Sequence, residues 1–146
     1  MKERTNLRYL QPEQLYQEGD TKADFAVVDV SFISLTKILP ALWELLQPPR
    51  EAVLLVKPQF EAGRSHVGKK GVVRDPEAQA EAIFQVLQAA QQMSWQYRGL
   101  TFSPLLGPAG NVEYLLWLGM SSSVPTPDFP QIIQFTQTVR AQVATK

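Results

Sequence analysis

The sequence predicts an α/β fold, a layered sheet of about four strands with flanking helices, in a chain of 146 residues. Two observations predict this class. Short apolar runs rich in β-branched residues alternate with segments of helical periodicity as far as Leu118. The first two runs are almost continuous, which is typical of strands covered by helices in a mostly parallel sheet.

The first strand is predicted at residues 25–30, where the apolar run FAVVDV is interrupted only by Asp29. A strand of this composition is expected to be buried on both faces. The segment Leu35–Leu46 then shows apolar residues at helical spacing, and a Pro-Pro pair ends it. Because Pro40 lies inside this pattern, the helix is expected to begin near it or to bend there.

A second buried strand is predicted at residues 52–57, and pairing stops after Lys57 because the following proline cannot donate to a ladder. Residues 61–74, EAGRSHVGKKGVVR, contain three glycines and few apolar anchors, which predicts a long basic loop. The helix that follows is expected to have Asp75 as its N-cap and to run to about Met93.

Two more strands are predicted in the last third of the chain. Leu100–Ser103 is a short apolar stretch, and the turn-forming residues PLLGPAGN follow it. The segment Val112–Leu118, VEYLLWL, is then predicted to be a strand, with Glu113 near its start.

The end of the chain has a different composition. Residues 121–130, SSSVPTPDFP, are rich in serine and proline, and this predicts a linker. Gln131–Val143 is predicted to be a helix whose apolar side chains form a docking face. We therefore expect one domain at residues 1–119, followed by a linker and a C-terminal helix at residues 120–146.

The composition excludes several kinds of site. The chain has no cysteine and one histidine, His66, so no disulfide, thiolate nucleophile or multi-histidine metal site is expected. Because 14 basic side chains balance 14 acidic ones, nucleic-acid binding would need a local basic patch. The chain shows no signal-peptide pattern and no run of roughly 18 apolar residues, which predicts a cytoplasmic protein with no membrane segment.

Three ionisable residues, Asp29, Lys57 and Glu113, lie at or near the ends of predicted strands. In open α/β sheets ligands bind at such an edge, so together they form a candidate active site. Each also has a structural explanation. Asp29 could cap the SFIS turn, Lys57 could extend from the sheet edge into water, and Glu113 could be a surface acid.

The basic loop allows two interpretations. Scattered charge is commonly a solvated flexible loop. The glycines, and the absence of acids between Glu61 and Asp75, favour binding to a polyanion instead. No GxGxxG or GxxxxGK[ST] pattern occurs, so the sequence offers no recognised phosphate-binding loop. The candidate residues for binding a polyanion such as a nucleic acid are Arg64, Lys69, Lys70 and Arg74.

Five segments resemble one family of proteins. They are ERTNLRYL, DVSFISLTKILPAL, LVKPQFEAG, GKKGVVRD and SPLLGPAGNVEYLLWL, in this order between Lys2 and Gly119. Together they are similar to the TlyA (haemolysin A-type) proteins, which carry an FtsJ-like S-adenosylmethionine-dependent RNA methyltransferase domain. The resemblance implies that the strands form the C-terminal half of a Rossmann-like methyltransferase sheet.

The resemblance also implies an activity, 2′-O-methylation of ribose in ribosomal RNA, with cytidine as the nucleotide. In such enzymes a Lys-Asp-Lys-Glu tetrad surrounds the reacting hydroxyl, and Asp29, Lys57 and Glu113 match its last three members. Lys57 would act as base or steer the oxygen, Asp29 would hold the lysine, and Glu113 would complete the hydrogen-bond frame. The residues expected on the cofactor side are Asn6, Asp29 and Ser31.

The chain departs from the family pattern in what would precede these segments. The family's first tetrad lysine and its glycine-rich cofactor loop match no part of this sequence, which predicts an N-terminally truncated or split product. We therefore expect weak or no binding of S-adenosylmethionine by this chain alone. An unpaired sheet edge is also expected, and it would favour association with a missing N-terminal half or a second copy. The alternative function is a non-catalytic remnant that binds RNA.

Overall fold

The computed structural model describes residues 7–63, 67–68 and 71–144. Four strands form one mixed sheet in this part of the chain: β1 (Phe25–Val28), β2 (Glu51–Val56), β3 (Gln96–Phe102) and β4 (Tyr114–Gly119). Their order across the sheet is β1-β2-β4-β3. The prediction of an α/β fold with about four strands and flanking helices is confirmed.

The helices are α1 (Pro12–Leu15), α2 (Leu35–Leu45), α3 (Pro58–Glu61), α4 (Pro76–Gln92) and α5 (Phe129–Ala144), with 3₁₀ turns at Leu7–Tyr9 and Pro108–Gly110. Ser34 caps α2, and Pro40 lies within that helix, so the predicted start near the proline is wrong. The carboxylate of Asp75 accepts a hydrogen bond from the backbone of Glu77 at 3.0 Å and caps α4 as expected.

Strand direction determines which strand ends lie at the same edge of the sheet. β1 pairs with β2 in parallel, with Val28 opposite Leu54. β4 runs antiparallel to both β2 and β3, and the ladder between β2 and β4 includes the pair Val56 and Tyr114. The carboxyl ends of β1 and β2 therefore lie at the same edge as the amino end of β4.

One face of the sheet carries the hydrophobic core together with α2 and α4. Alternate side chains of β2 and β4 on this face are fully buried: Ala52, Leu54, Val56, Tyr114, Leu116 and Leu118. Trp95 follows α4, and its indole N–H donates to the backbone oxygen of Arg50 at 2.8 Å. Burial of these apolar side chains provides the main stabilisation of the fold.

The other face of the sheet is partly uncovered, and here the prediction for the first strand is wrong. β1 ends at Val28, two residues before the predicted end. Phe25 and Val27 are 47% and 71% exposed instead of buried. The reason is that β1 is an edge strand with one neighbour, β2, and no second layer packs over these two side chains in the described residues.

The last two strands differ from their predicted bounds. β3 begins at Gln96, four residues before the predicted Leu100, and a register irregularity separates Tyr97 from Gly99. β4 begins at Tyr114 rather than Val112. Glu113 therefore lies just before the strand, at the end of the turn that leads into it.

The C-terminal helix α5 packs against α4. Ile132 and Val139 are each 1% exposed, so part of the predicted docking face is buried. The hydroxyl of Thr136, fully buried, donates to the backbone oxygen of Pro76 at 2.7 Å. Among the residues that the structure describes, no helix is long and apolar enough to cross a membrane.

Candidate active site

The sheet edge at the end of β2 brings together two of the predicted residues by register. Val56 of β2 lies opposite Tyr114 of β4. Continuing this antiparallel register by one residue places Lys57 opposite Glu113. β1, parallel to β2 on its other side, ends one residue before Asp29. One edge of the sheet therefore carries all three residues: Asp29 follows β1, Lys57 follows β2, and Glu113 precedes β4.

Lys57 and Asp29 are in direct contact. The ammonium nitrogen of Lys57 lies 2.5 Å from a carboxylate oxygen of Asp29 and 3.1 Å from the hydroxyl oxygen of Ser31. The Lys57 side chain is 11% exposed, whereas that of Asp29 is 63% exposed. The ammonium has three N–H donors, so a third remains for a further acceptor.

Glu113 is buried, and the alternative that it is a surface acid is wrong. It is 6% exposed, and its carboxylate accepts a hydrogen bond from the side-chain amide of Gln59 at 3.0 Å. Gly107 packs against it so closely that a Cβ there would lie 2.6 Å from the carboxyl carbon of Glu113. No ion pair joins Lys57 directly to Glu113.

Gln59 is a site residue that sequence reasoning missed. It lies on α3, which begins at Pro58 immediately after Lys57. Its amide nitrogen donates to Glu113, and its buried amide oxygen has no hydrogen-bond partner in the described part of the chain. The proximity of Gln59 to Lys57 in the KPQFE segment was the available signal, because the proline ends the strand and turns the chain at this edge.

Glu61 links the loop after β1 to α3. Its carboxylate accepts hydrogen bonds from the hydroxyl of Ser34 at 2.6 Å and from the backbone N–H of Leu35 at 2.7 Å. Burial raises the pKa of Glu61, and the two hydrogen bonds oppose that effect less strongly. This bond pair fastens the segment that carries Asp29 and Ser31 to the segment that carries Lys57.

An open cleft of about 1230 Å³ adjoins Ser31 and extends along α2. Apolar side chains such as Leu7, Ile33 and Ile38 line it together with Ser31 and the cationic residues Arg8 and Lys37. At its rim Phe32 has a positive φ of 67° and is 89% exposed. A bulky residue rarely adopts such a backbone conformation, so the turn presents an aromatic side chain to solvent at an energetic cost.

The FtsJ-like methyltransferase profile matches residues 1–120 of the chain. The chain belongs to the FtsJ-like methyltransferase family. Among its relatives, the 16S/23S rRNA (cytidine-2′-O)-methyltransferase TlyA of Mycobacterium tuberculosis is 47% identical over 116 residues, which cover 80% of this chain and 42% of that protein. The YqxC protein of Bacillus subtilis is 48% identical over 116 residues, which cover 80% of this chain and 40% of YqxC.

Solved structures agree with this assignment. A Lactococcus lactis protein described as a hemolysin candidate superposes with a TM-score of 0.80 at 38% identity, over 93% of this chain and 65% of that chain. A Streptococcus thermophilus protein described in the same way gives 0.81 at 36% identity, over 97% and 50%. The resemblance to TlyA proteins is confirmed, and this chain spans about two fifths of the length of TlyA and YqxC.

In this FtsJ-like chain the other predicted site residues fall into two groups. Arg74 is exposed at the end of the loop before α4. Asn6, Arg64, Lys69 and Lys70 lie outside the described residues, as does His66. The predicted absence of a metal site stays a prediction for the whole chain; the described residues contain no cluster of acidic or histidine side chains that could hold an ion.

Proposed function

We propose that this chain carries the catalytic edge of an S-adenosylmethionine-dependent 2′-O-methyltransferase that acts on cytidine in ribosomal RNA. The observation that carries the proposal is the contact of Lys57 with Asp29 and Ser31 beside buried Glu113, in a family of methyltransferases. The name of the M. tuberculosis relative supports this choice of substrate. A ribosomal RNA substrate would place the reaction in the cytoplasm.

Lys57 is proposed to accept the proton of the ribose hydroxyl or to orient its oxygen toward the methyl group. A hydroxyl is a weak nucleophile until a neighbouring group takes its proton or orients its lone pair. The ion pair with Asp29 and the bond to Ser31 hold the lysine nitrogen in one place. The third hydrogen-bonding direction of this nitrogen remains for the ribose oxygen. Positioning of this kind supplies much of the rate of methyl transfer.

Glu113 is proposed to complete the frame around the hydroxyl. Its carboxylate is held by Gln59 and enclosed by Gly107, so its position is determined by packing rather than by solvent. A carboxylate at the edge that Lys57 occupies offers a fixed hydrogen-bond acceptor for the ribose hydroxyl.

The cleft beside Ser31 fits part of the methyl donor. Its apolar side chains and the Ser31 hydroxyl suit a nucleoside, although Arg8 and Lys37 also line it. Ser31, and Asp29 two residues before it in the chain, are proposed to hold the donor. S-adenosylmethionine supplies an activated methyl group on a sulfonium. Because no glycine-rich cofactor loop occurs in the sequence, we propose that this chain alone holds the donor weakly.

RNA is proposed to contact the basic residues of the loop before α4 and the exposed ring of Phe32. Arg64, Lys69, Lys70 and Arg74 would contact phosphates, and the exposed ring of Phe32 offers a stacking surface for a base beside Lys57. The ring lies 4.9 Å from that of Phe60, which supports it from the α3 side.

Association is proposed to complete the sheet. The exposed side chains of Phe25 and Val27 and the open edge of β1 offer a surface for a polypeptide that corresponds to the unmatched part of the relatives, or for a second copy of the chain. The relatives, which are more than twice as long as the segment they share with this chain, favour the first occupant.

The proposal is tested by a chimera of YqxC that carries this chain in place of the segment it matches. Methyl transfer from labelled S-adenosylmethionine to ribosomal RNA is measured, and ribose methylation is mapped by mass spectrometry. Lys57→Ala is expected to lower the rate by at least about a hundredfold. Lys22→Ala, a change at an exposed lysine in another part of the chain, is the control. Methylation that is unchanged in Lys57→Ala would exclude the proposed role.

The second candidate function is an RNA-binding module without catalysis, favoured by the cluster of basic residues in the loop before α4. The same chimera separates the two. A chimera that binds RNA but transfers no methyl group, while YqxC itself is active, supports the second function.

A further inference from the structure

A small cavity of about 290 Å³ lies between the loop before α4, the turn before β4, and α5. Two arginines from different elements line it, Arg74 from the loop and Arg140 from α5, and both are exposed. Its size is near the lower limit of ligand sites, roughly 300 Å³, which is room for a single nucleotide unit. The apolar side chains that line it are Val72, Val73, Ala109, Val112 and Val143.

Hydrogen bonds hold the wall that carries Arg74. The backbone N–H of Val73 donates to the side-chain oxygen of Asn111 at 3.0 Å, and the Asn111 amide donates to the backbone oxygen of Gly71 at 2.8 Å. The side-chain amide of buried Gln79 donates to the backbone oxygen of Val73 at 2.8 Å. Because buried polar groups secure both sides of Val73, the cavity is built before a ligand arrives.

The described lining of the cavity carries positive charge and contains no carboxylate. Among the described residues neither Arg74 nor Arg140 forms an ion pair, and no acidic side chain lines the cavity. Asp75 is the neighbouring acid in the chain, and its carboxylate accepts the backbone hydrogen bond that caps α4. Guanidinium groups are well suited to phosphate, because their planar N–H donors match its oxygens in pairs.

We propose that this cavity binds one phosphate-linked nucleotide of the RNA strand that carries the target, and that Arg140 of α5 is a phosphate-binding residue. The proposal rests on the proposed function and extends it to the C-terminal helix. Val112 lines the cavity and precedes Glu113 in the chain, so the cavity borders the turn that leads into the catalytic edge. The valine side chains would pack against the ribose or base, and Arg74 and Arg140 would bind the phosphate.

The test measures binding of the 146-residue chain to a fluorescein-labelled single-stranded RNA, roughly 12 nucleotides long, within the usual length of single-strand sites. Anisotropy is followed at several salt concentrations. Arg140→Gln is expected to weaken binding roughly tenfold and to reduce the slope of log affinity against log salt by about 0.7. Arg140→Lys should recover part of the affinity, since it keeps the charge but loses the paired donors.

Lys22→Gln is the matched control, because Lys22 is an exposed cation that does not line the cavity, and it should leave affinity and slope unchanged. Circular dichroism confirms that each variant is folded. If the wild type binds RNA and Arg140→Gln binds equally well with the same slope, the cavity proposal is overturned and the proposed function stands. If the wild type shows no salt-dependent binding to RNA, the cavity proposal is overturned, and methyl transfer in the YqxC chimera decides the proposed function separately.

Discussion

The carboxylate of Glu113 occupies the space that a side chain at Gly107 would need. A Cβ built on Gly107 lies 2.6 Å from the Glu113 carboxyl carbon, and a distance under 3 Å forces one of the groups to move. This glycine is therefore required by close approach rather than by backbone conformation. Its role could not be inferred from the turn sequence, where it was interpreted as one of several turn-forming residues.

Gly107→Ala is expected to displace the Glu113 carboxylate and break its bond with Gln59. We expect a loss of methyl transfer of roughly tenfold or more in the chimera, because a misplacement of about 1 Å at a reacting group can cost up to about a hundredfold in rate. Gly99→Ala is the control, since a Cβ there meets Trp117 at 3.5 Å, an ordinary contact. Equal activity of the two variants would contradict the assignment of Glu113 to the site.

Gln59→Leu removes the donor that satisfies Glu113. The remaining carboxylate is 6% exposed, and loss of a partner for a buried group costs about 1–3 kcal/mol. The free energy of unfolding, measured by urea denaturation, should fall by that amount. Gln91→Leu, at an exposed position on α4, should change it by less than about 0.5 kcal/mol. Similar losses in both variants would rule out a specific role for the Gln59 amide.

Glu61 should make stability depend on pH. Its pKa is raised by burial, so the folded state holds the proton more tightly than the unfolded state. The stability that this proton contributes is fully present below the unfolded value of about 4.5 and is lost as pH rises through the higher folded value. In Glu61→Gln that fall should disappear. Urea unfolding of both proteins across this pH range checks it, and parallel curves would show that Glu61 is not the cause.

S-adenosylmethionine is expected to bind the isolated chain weakly or not at all. The described cofactor-side groups are the Asp29 to Ser31 turn and the open cleft beside it, and the Ser31 hydroxyl already bonds to Lys57. Isothermal titration should give no saturable heat at micromolar protein, whereas the YqxC chimera should bind. Micromolar affinity of the 146-residue chain would show that this cleft suffices for the donor.

The prediction of secondary structure succeeded where a segment carries its own signals. Asp75 and Pro76 start α4 as expected, because a capping side chain and a fixed φ act within one turn of the helix. Strand β2 was predicted to within one residue, since Pro58 ends it locally. β1 was predicted poorly, because burial of an apolar strand depends on which layers pack against it.

The sequence by itself determined the α/β class, the family and the chain positions of Asp29, Lys57 and Glu113, because periodicity and motif spacing are local properties. Only the tertiary structure decided how these residues meet. The antiparallel direction of β4 places Glu113 at the edge where β2 ends, and packing of Gly107 and Gln59 buries it. Pairing direction and burial arise from contacts between residues far apart in the chain, which no single segment specifies.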